Sequence, residues 1–379
     1  MGPLSKKFFL LLSLTLLFCT TGASQILAKQ RQQQYSSPVT KHWVVRFLKN
    51  SFFNGKPFQF ASPITEGNFL FGGANKNIFY GVDIQKGKKL WSYETLGPVQ
   101  AAPALWQDWI YFGDAKGNIY ALTKKEGKRF WTASVDGAVM SAPLVHEDKL
   151  YFVTMSKQVT AMDPQTGKIF WQTPPLNRDA DFTTMGSADP VFAFGKLWIG
   201  YADGTLIAYE IKSGEIHRVL QLGDRNEKLH DIDATSLVDG NLFYVTSADG
   251  SLFAMNPLQD KIVWTMPIGG VNDPAIKEGK LYIAGSNTVS CLEASTGQTL
   301  WEQNLGVSGL STPVVTDRWV IVVATKGKLF FMDRKNGDIV YARHLRGGGS
   351  YADPVLGDKD VFVLSNSGRL YGFRFKNMK

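Results

Sequence analysis

Asp231 and Asp233 stand two residues apart in LHDIDATS, and they are the closest the chain comes to a reactive-looking pair. In an extended segment that spacing puts both carboxylates on one face. Two acids so placed repel each other unless a cation, an arginine or water lies close. The chemistry open to them is therefore contact with a basic or N–H-rich surface, or plain solvation at a turn. Upstream, Phe182, Thr184 and Met185 precede GSADP, and Arg178 comes before them. An apolar patch beside paired acids would be a surface for binding; the same residues also suit ordinary packing within an insertion.

The remaining chemistry-bearing residues do not converge. His42, His146, His217, His230 and His344 are scattered without the close spacing of a metal site. Cys19 and Cys291 make no disulfide framework and no adjacent pair. Gly-x-Ser-x-Gly, His-Glu-x-x-His and Gly-x-x-x-x-Gly-Lys are all absent from the sequence. The run Arg346-Gly-Gly-Gly-Ser350 lacks the lysine and following helix of a phosphate cradle, and reads as a flexible loop. No enzyme, cofactor or metal is expected. The formal charge of +8 is spread over turns such as KGKK, KKEGKR and DRKNG. That pattern is a solvated rim, not the one-sided stripe that binds nucleic acid.

The elements that must carry these residues come from a repeat. The phrase AMDPQTGKIFW at 161–171 echoes ALTKKEGKRFW at 121–131 and GVDIQKGKKLW at 81–91, and returns around Arg218, Trp264, Trp301 and Tyr341. A second phrase interleaves with it: small residue, proline, apolar pair, polar turn, apolar strand. It runs through SPITEGNFLFGG, APALWQDWIYFGD and APLVHEDKLYFVT to DPVLGDKDVFVLS, with Ser236 in place of one proline. Each period holds four short β segments joined by hairpin turns. The expected fold is all-β: an eight-bladed β-propeller of four-stranded antiparallel blades.

No blade can form a core alone. Trp43, Trp91, Trp131, Trp171, Trp264 and Trp301 are placed to fill the wedges between blades, each indole N–H reaching a carbonyl next door. Arg218 and Tyr341 take that place twice, and looser seams are expected there. The proline phrase occurs eight times in sequence if Ser236 is counted, whereas the aromatic phrase is complete only seven times. The N-terminal strand KHWVVRF at 41–47 supplies the missing copy and closes the ring. The spacing from Pro143 to Pro190 exceeds that from Pro103 to Pro143, which marks an insertion on one rim.

Lys6 and Lys7 precede an apolar run at 8–18 that is short for a bilayer span, and small residues follow, as in a secretory signal. Cys19 resembles the lipid-accepting cysteine of a bacterial lipobox. Leu16 fits that pattern, whereas Phe18 stands where a small residue is usual. Lipidation of Cys19 and ordinary cleavage after Ala23 or Ala28 are both open. The expected organisation is a signal segment at 1–19, a polar tether at 20–40 and the propeller at 41–379.

AMDPQTGKIFW resembles the tryptophan-docking repeat of the PQQ-like (quinoprotein) propellers. Within that superfamily the chain is similar to the BamB family, lipoprotein subunits of the outer membrane β-barrel assembly machinery. Asp231 and Asp233 fall on the two acids of that family's Asp-x-Asp, and GGVNDPAIKEGKLYIAG follows its V-N-D pattern. The family's partner loop carries Leu-x-Leu-Arg before Gly-x-x-x-Pro; here Phe182, Thr184 and Met185 stand there, with Arg178 upstream. The resemblance implies a non-catalytic scaffold at the periplasmic face of the outer membrane, lipid-anchored or else soluble in the periplasm. Its implied partners are the periplasmic domains of the central assembly protein and unfolded outer membrane proteins, with no nucleic acid. PQQ-dependent dehydrogenases resemble the same fold but carry an adjacent Cys-Cys pair, which this chain lacks. An unrelated periplasmic binding propeller is the third reading.

Overall fold

The computed structural model describes residues 37–47, 61–74, 77–176, 188–201, 203–222, 232, 236–247, 250–268 and 272–376. These form eight four-stranded antiparallel sheets, the blades of a β-propeller. In chain order the first seven blades span residues 64–94, 104–134, 144–172, 191–221, 237–267, 275–304 and 314–344. The eighth combines 355–375 with the N-terminal strand Val39–Arg46.

Blade 2 shows why the sequence folds this way. Its strands are Ala104–Trp106, Trp109–Gly113, Asn118–Thr123 and Arg129–Ser134. The two middle strands are mostly apolar and buried, with Ile110–Phe112 and Ile119–Leu122 wholly so, since each faces a neighbouring blade on both sides. The outermost strand alternates between exposed and half-buried residues, as befits an edge that meets water. The innermost strands of neighbouring blades touch around the axis, including the first against the last, 64–66 against 355–356.

Eight apolar clusters lie in the eight seams. Between blades 1 and 2 pack Phe71, Phe79, Val99, Ile110, Phe112 and Tyr120, with Phe79 and Phe112 stacked at 3.9 Å. The closing seam between blades 8 and 1 has its own cluster of Leu70, Tyr80, Val82, Phe362, Leu364 and Leu370. Each fully buried aromatic or aliphatic side chain stabilises the ring by about 1.5–3 kcal/mol.

Val39–Arg46 closes the ring by antiparallel pairing with Arg369–Phe375, from Val39 opposite Phe375 to Arg46 opposite Arg369. The pairing begins at Val39, so the expected tether boundary at residue 40 falls inside the strand. Beyond it, Lys376 N–H donates to the Pro38 carbonyl at 2.9 Å and holds the two ends of the ring together.

Strand direction gives the ring two distinct faces. One, the hairpin face, carries the turns between first and second strands and between third and fourth. The other carries the remaining hairpins and the connections from blade to blade. Val39 starts an outermost strand, so the chain enters the propeller on the hairpin face.

The Arg346–Ser350 run is not the loose loop expected. Gly349 N–H donates to the Thr325 carbonyl, and a Cβ on Gly349 would lie 1.9 Å from the Ala324 carbonyl oxygen. Ser350 Oγ is buried against the Ala352 and Leu364 carbonyls, at 2.6 and 2.5 Å. Glycine is required here for close approach between backbones.

Candidate interaction surface

The seams set the geometry on which any surface of this protein rests. Before each docking tryptophan except Trp43, which lies on the N-terminal strand, the chain makes one repeated turn. In blade 3, Asp163 Oδ1 accepts from the N–H groups of Gln165 and Thr166 at 2.7 and 3.0 Å, and Gly167 closes the turn at φ +71°. That turn presents the Pro164 carbonyl to blade 2, whose Trp131 Nε1 donates to it at 2.9 Å. Trp43, Trp91, Trp171, Trp264 and Trp301 do the same to Ile84, Lys124, Ile211, Ala294 and Arg334, at 2.8–3.1 Å. Tyr111 shares the Pro164 carbonyl at 2.9 Å and Tyr244 the Ala294 carbonyl at 3.2 Å, one donor for each lone pair. Burial pushes the Tyr244 hydroxyl up to about 12, so it stays a donor.

The turn glycine has two duties. Besides its positive φ it lies under the neighbouring indole: a Cβ on Gly87, Gly127, Gly167, Gly214, Gly297 or Gly337 would fall 2.3–2.8 Å from ring atoms. Arg218 does not leave its seam open. Its Nη1 donates to the Pro257 carbonyl at 2.7 Å, and the turn residue opposite is Asp260, at φ +54°. Tyr341 faces the one blade whose third and fourth strands are not joined by a turn, because the first and last strands of the ring pair there. It packs instead on a cluster containing Val39 and Phe375.

Volume across the sheet follows the same logic. Opposite the tryptophans stand Gly81, Ala121, Ala161, Ala254, Cys291 and Gly372, whereas Phe331 stands opposite Tyr341. Cys291 is thus a small packing residue, 1% exposed, its thiol pushed up by burial.

Arg178, Phe182, Thr184, Met185, Asp231 and Asp233 lie outside the described residues, as does Cys19. Their anchorages are described. Thr173 ties the start of the blade 3–4 connection to blade 3, donating from N–H to the Val159 carbonyl at 2.9 Å and accepting from Val159 N–H at Oγ1. Ala188 ties its end to Gly200 at 3.2 Å. Ile232, between the two aspartates, is fully buried, and its N–H donates to the Tyr201 carbonyl at 3.1 Å. Its Cγ2 sits where a Cβ on Gly200 would be 2.4 Å away. Val99 on Gly73 and Val139 on Gly113 repeat this device one and two blades after the start of the ring. Sequence reasoning passed over Ile232; Val99, Val139 and Ile232 each stand four residues ahead of their blade's proline phrase, but the other copies lack an apolar residue there.

Lys157 also escaped that reasoning. It lies buried on the connection face at φ +59°, with Nζ 3.7 Å from an Asp203 carboxylate oxygen and 5.9 Å from the Tyr201 ring centroid. Of the described histidines, His42 is 3.8 Å from Asp360 and His217 is 3.0 Å from Glu210, while His146 stacks on Phe192.

Towards the axis, residues that stand just before the prolines meet across several seams. Asp353 accepts from Thr312 N–H at 2.8 Å and from Ser62 Oγ at 3.2 Å, and so ties blade 8 to blades 7 and 1. Burial pushes its carboxyl up from the ordinary range. Asp189 accepts from Ala142 N–H at 2.6 Å. These carboxylates are engaged by neighbouring blades, and no three metal-binding side chains gather among the described residues.

The eightfold ring with indole-docked seams defines a propeller of the PQQ-like class. The family model for the outer membrane protein assembly factor BamB matches residues 74–284 and 248–378, so the chain belongs to that family. BamB of Yersinia pestis is 28% identical over 206 residues, 52% of this chain and 52% of the relative. BamB of Escherichia coli (strain K12) is 26% identical over 193 residues, 49% of each. The chain spans about half the length of these relatives in the matched stretches. Among solved structures, BamB from Moraxella catarrhalis superposes with a TM-score of 0.76 at 18% identity, covering 89% of this chain and 100% of that one. Quinohemoprotein alcohol dehydrogenase from Comamonas testosteroni gives 0.73 at 12% identity, covering 89% and 76%.

Proposed function

We propose that this chain is a non-catalytic scaffold of the outer membrane β-barrel assembly machinery, acting at the periplasmic face of the membrane with a lipid on Cys19. Its partner surface is the connection face at blades 3–5, where Arg178, Phe182, Thr184, Met185, Asp231 and Asp233 meet the periplasmic domains of the central assembly protein, and unfolded outer membrane proteins as further clients. Family membership carries this reading, since the matched relatives are named outer membrane protein assembly factors. The fold supports it. Ile232, which stands between the two aspartates in sequence, is buried in the wall between blades 4 and 5, and Ala188, just before blade 4, bonds to the Gly200 carbonyl.

Capture of the assembly protein from solubilised outer membranes tests the reading. Wild type retains it, and Asp231→Arg/Asp233→Arg loses most of it at unchanged folding. Equal capture by both removes these acids from the interface. An enzyme of the quinoprotein kind would instead reduce dye after addition of PQQ and Ca²⁺, and none is expected here.

A further inference from the structure

The outer edge of the hairpin face is not electrically uniform. In every blade the outermost strand has an extra residue just before the docking position. The two residues ahead of that bulge lie at the same height on each blade. In blades 8, 1, 2 and 3 these pairs are Thr40-Lys41, Lys88-Lys89, Lys128-Arg129 and Lys168-Ile169, six cations and no acid. In blades 4 to 7 they are Glu215-Ile216, Lys261-Ile262, Gln298-Thr299 and Asp338-Ile339, one cation and two acids. One contiguous half of this rim is therefore basic and the other is not.

In blades 1, 2 and 3 the bulge residue is apolar and open to water, and in blade 8 it is His42. Leu90, Phe130 and Phe170 expose 43%, 46% and 50% of their surface, with Ile169 beside them at 40%. Their basic neighbours are also exposed; Lys128 shares its charge with Glu126 at 2.7 Å, and Lys89 reaches Ser92 Oγ at 3.4 Å. Large apolar side chains flanked by lysine and arginine suit a surface with negative headgroups above hydrocarbon. The third observation is where the chain enters. Pro38 and Val39 sit on this same face in blade 8, next to blade 1, so the segment that would carry the anchor arrives at the basic half.

We infer that the hairpin-face rim of blades 8, 1, 2 and 3 lies against the anionic phospholipid surface of the membrane. Lys88, Lys89, Lys128 and Arg129 meet phosphates, while Leu90 and Phe130 enter the headgroup layer. The connection face then points away from the bilayer. The inference rests on a membrane-bound location, but it concerns a surface separate from the partner loops, and the two fail separately.

Among the described residues every strand pairing and every core cluster lies within 39–375, so this segment carries the ring's whole set of seams. The test uses residues 37–379 and flotation with vesicles. The ring should float with phosphatidylglycerol vesicles at low salt, remain unbound with phosphatidylcholine, and be released as salt rises. Lys88→Glu/Lys89→Glu/Lys128→Glu/Arg129→Glu should weaken binding at least tenfold with an unchanged melting temperature. Lys261→Glu, at the same height on blade 5, should leave it unaltered. A ring that ignores phosphatidylglycerol, or a quadruple variant that binds it as well as wild type, overturns the inference. Capture of the assembly protein by that variant is unaffected either way.

Discussion

Arg218 donates to the Pro257 carbonyl at 2.7 Å across the seam between blades 4 and 5, in the place where six other seams use an indole. The substitution is matched on the other side. At the indole seams the turn residue is glycine and a Cβ there would strike the ring; opposite Arg218 it is Asp260. The hydrogen-bond donor and the turn residue thus form one unit, divided between two blades.

That unit predicts a coupling. Arg218→Trp alone should destabilise the ring by about 1–3 kcal/mol, since the indole meets the Asp260 Cβ in a packed wedge. Asp260→Gly in that background should recover most of the loss. The coupling between the two changes should be about 1–2 kcal/mol, measured by urea unfolding of wild type, both singles and the double. Additive effects would show that the glycines are there for φ alone.

The prediction also shows how far the sequence could be read. The tryptophans, the turn glycines and the closing strand announce themselves because each recurs at a fixed period, and the period reflects a geometry repeated eight times. Arg218 broke the pattern, and a loose seam followed from treating it as a missing indole. The guanidinium carries its own N–H donors, so the seam stays bridged. Arg346–Ser350 was misread for a related reason: glycine signals conformational freedom or close approach, and only the neighbouring Ala324 and Thr325 carbonyls tell which. Ile232 and Lys157 depend on walls supplied by Gly200 and Tyr201, a proximity that no local pattern encodes.

Ser236 occupies the position that is proline in the seven other blades. It is 5% exposed, and its Oγ is buried without a hydrogen-bond partner. A buried unpaired hydroxyl is a standing cost, and proline both removes it and restricts the unfolded chain. Ser236→Pro should therefore stabilise the protein by about 0.5–1 kcal/mol, read as a higher urea midpoint at constant slope. A lower midpoint would mean that the backbone of this blade has departed from the geometry its counterparts share.

Asp353 makes stability depend on pH in a direction opposite to that of most carboxylates. Burial disfavours its charged form and raises its folded-state value above the ordinary one, despite the bonds from Thr312 and Ser62 that favour the anion. Between the unfolded value, about 3.9, and the raised folded value, the native state holds a proton that the unfolded state has released. Raising pH through that window therefore favours unfolding, and the stabilisation present below it is lost above it. Asp353→Asn keeps an acceptor for Thr312 N–H and offers an amide to Ser62 Oγ, but has no charge to bury. Relative to wild type, the variant should gain stability between pH 4 and pH 7, measured as the change in urea midpoint of each protein across that range. Because every other titrating group is common to both, the difference isolates this residue. Equal pH dependence would mean that the Asp353 carboxylate sits in water at the axis and not in the shelter of three blades.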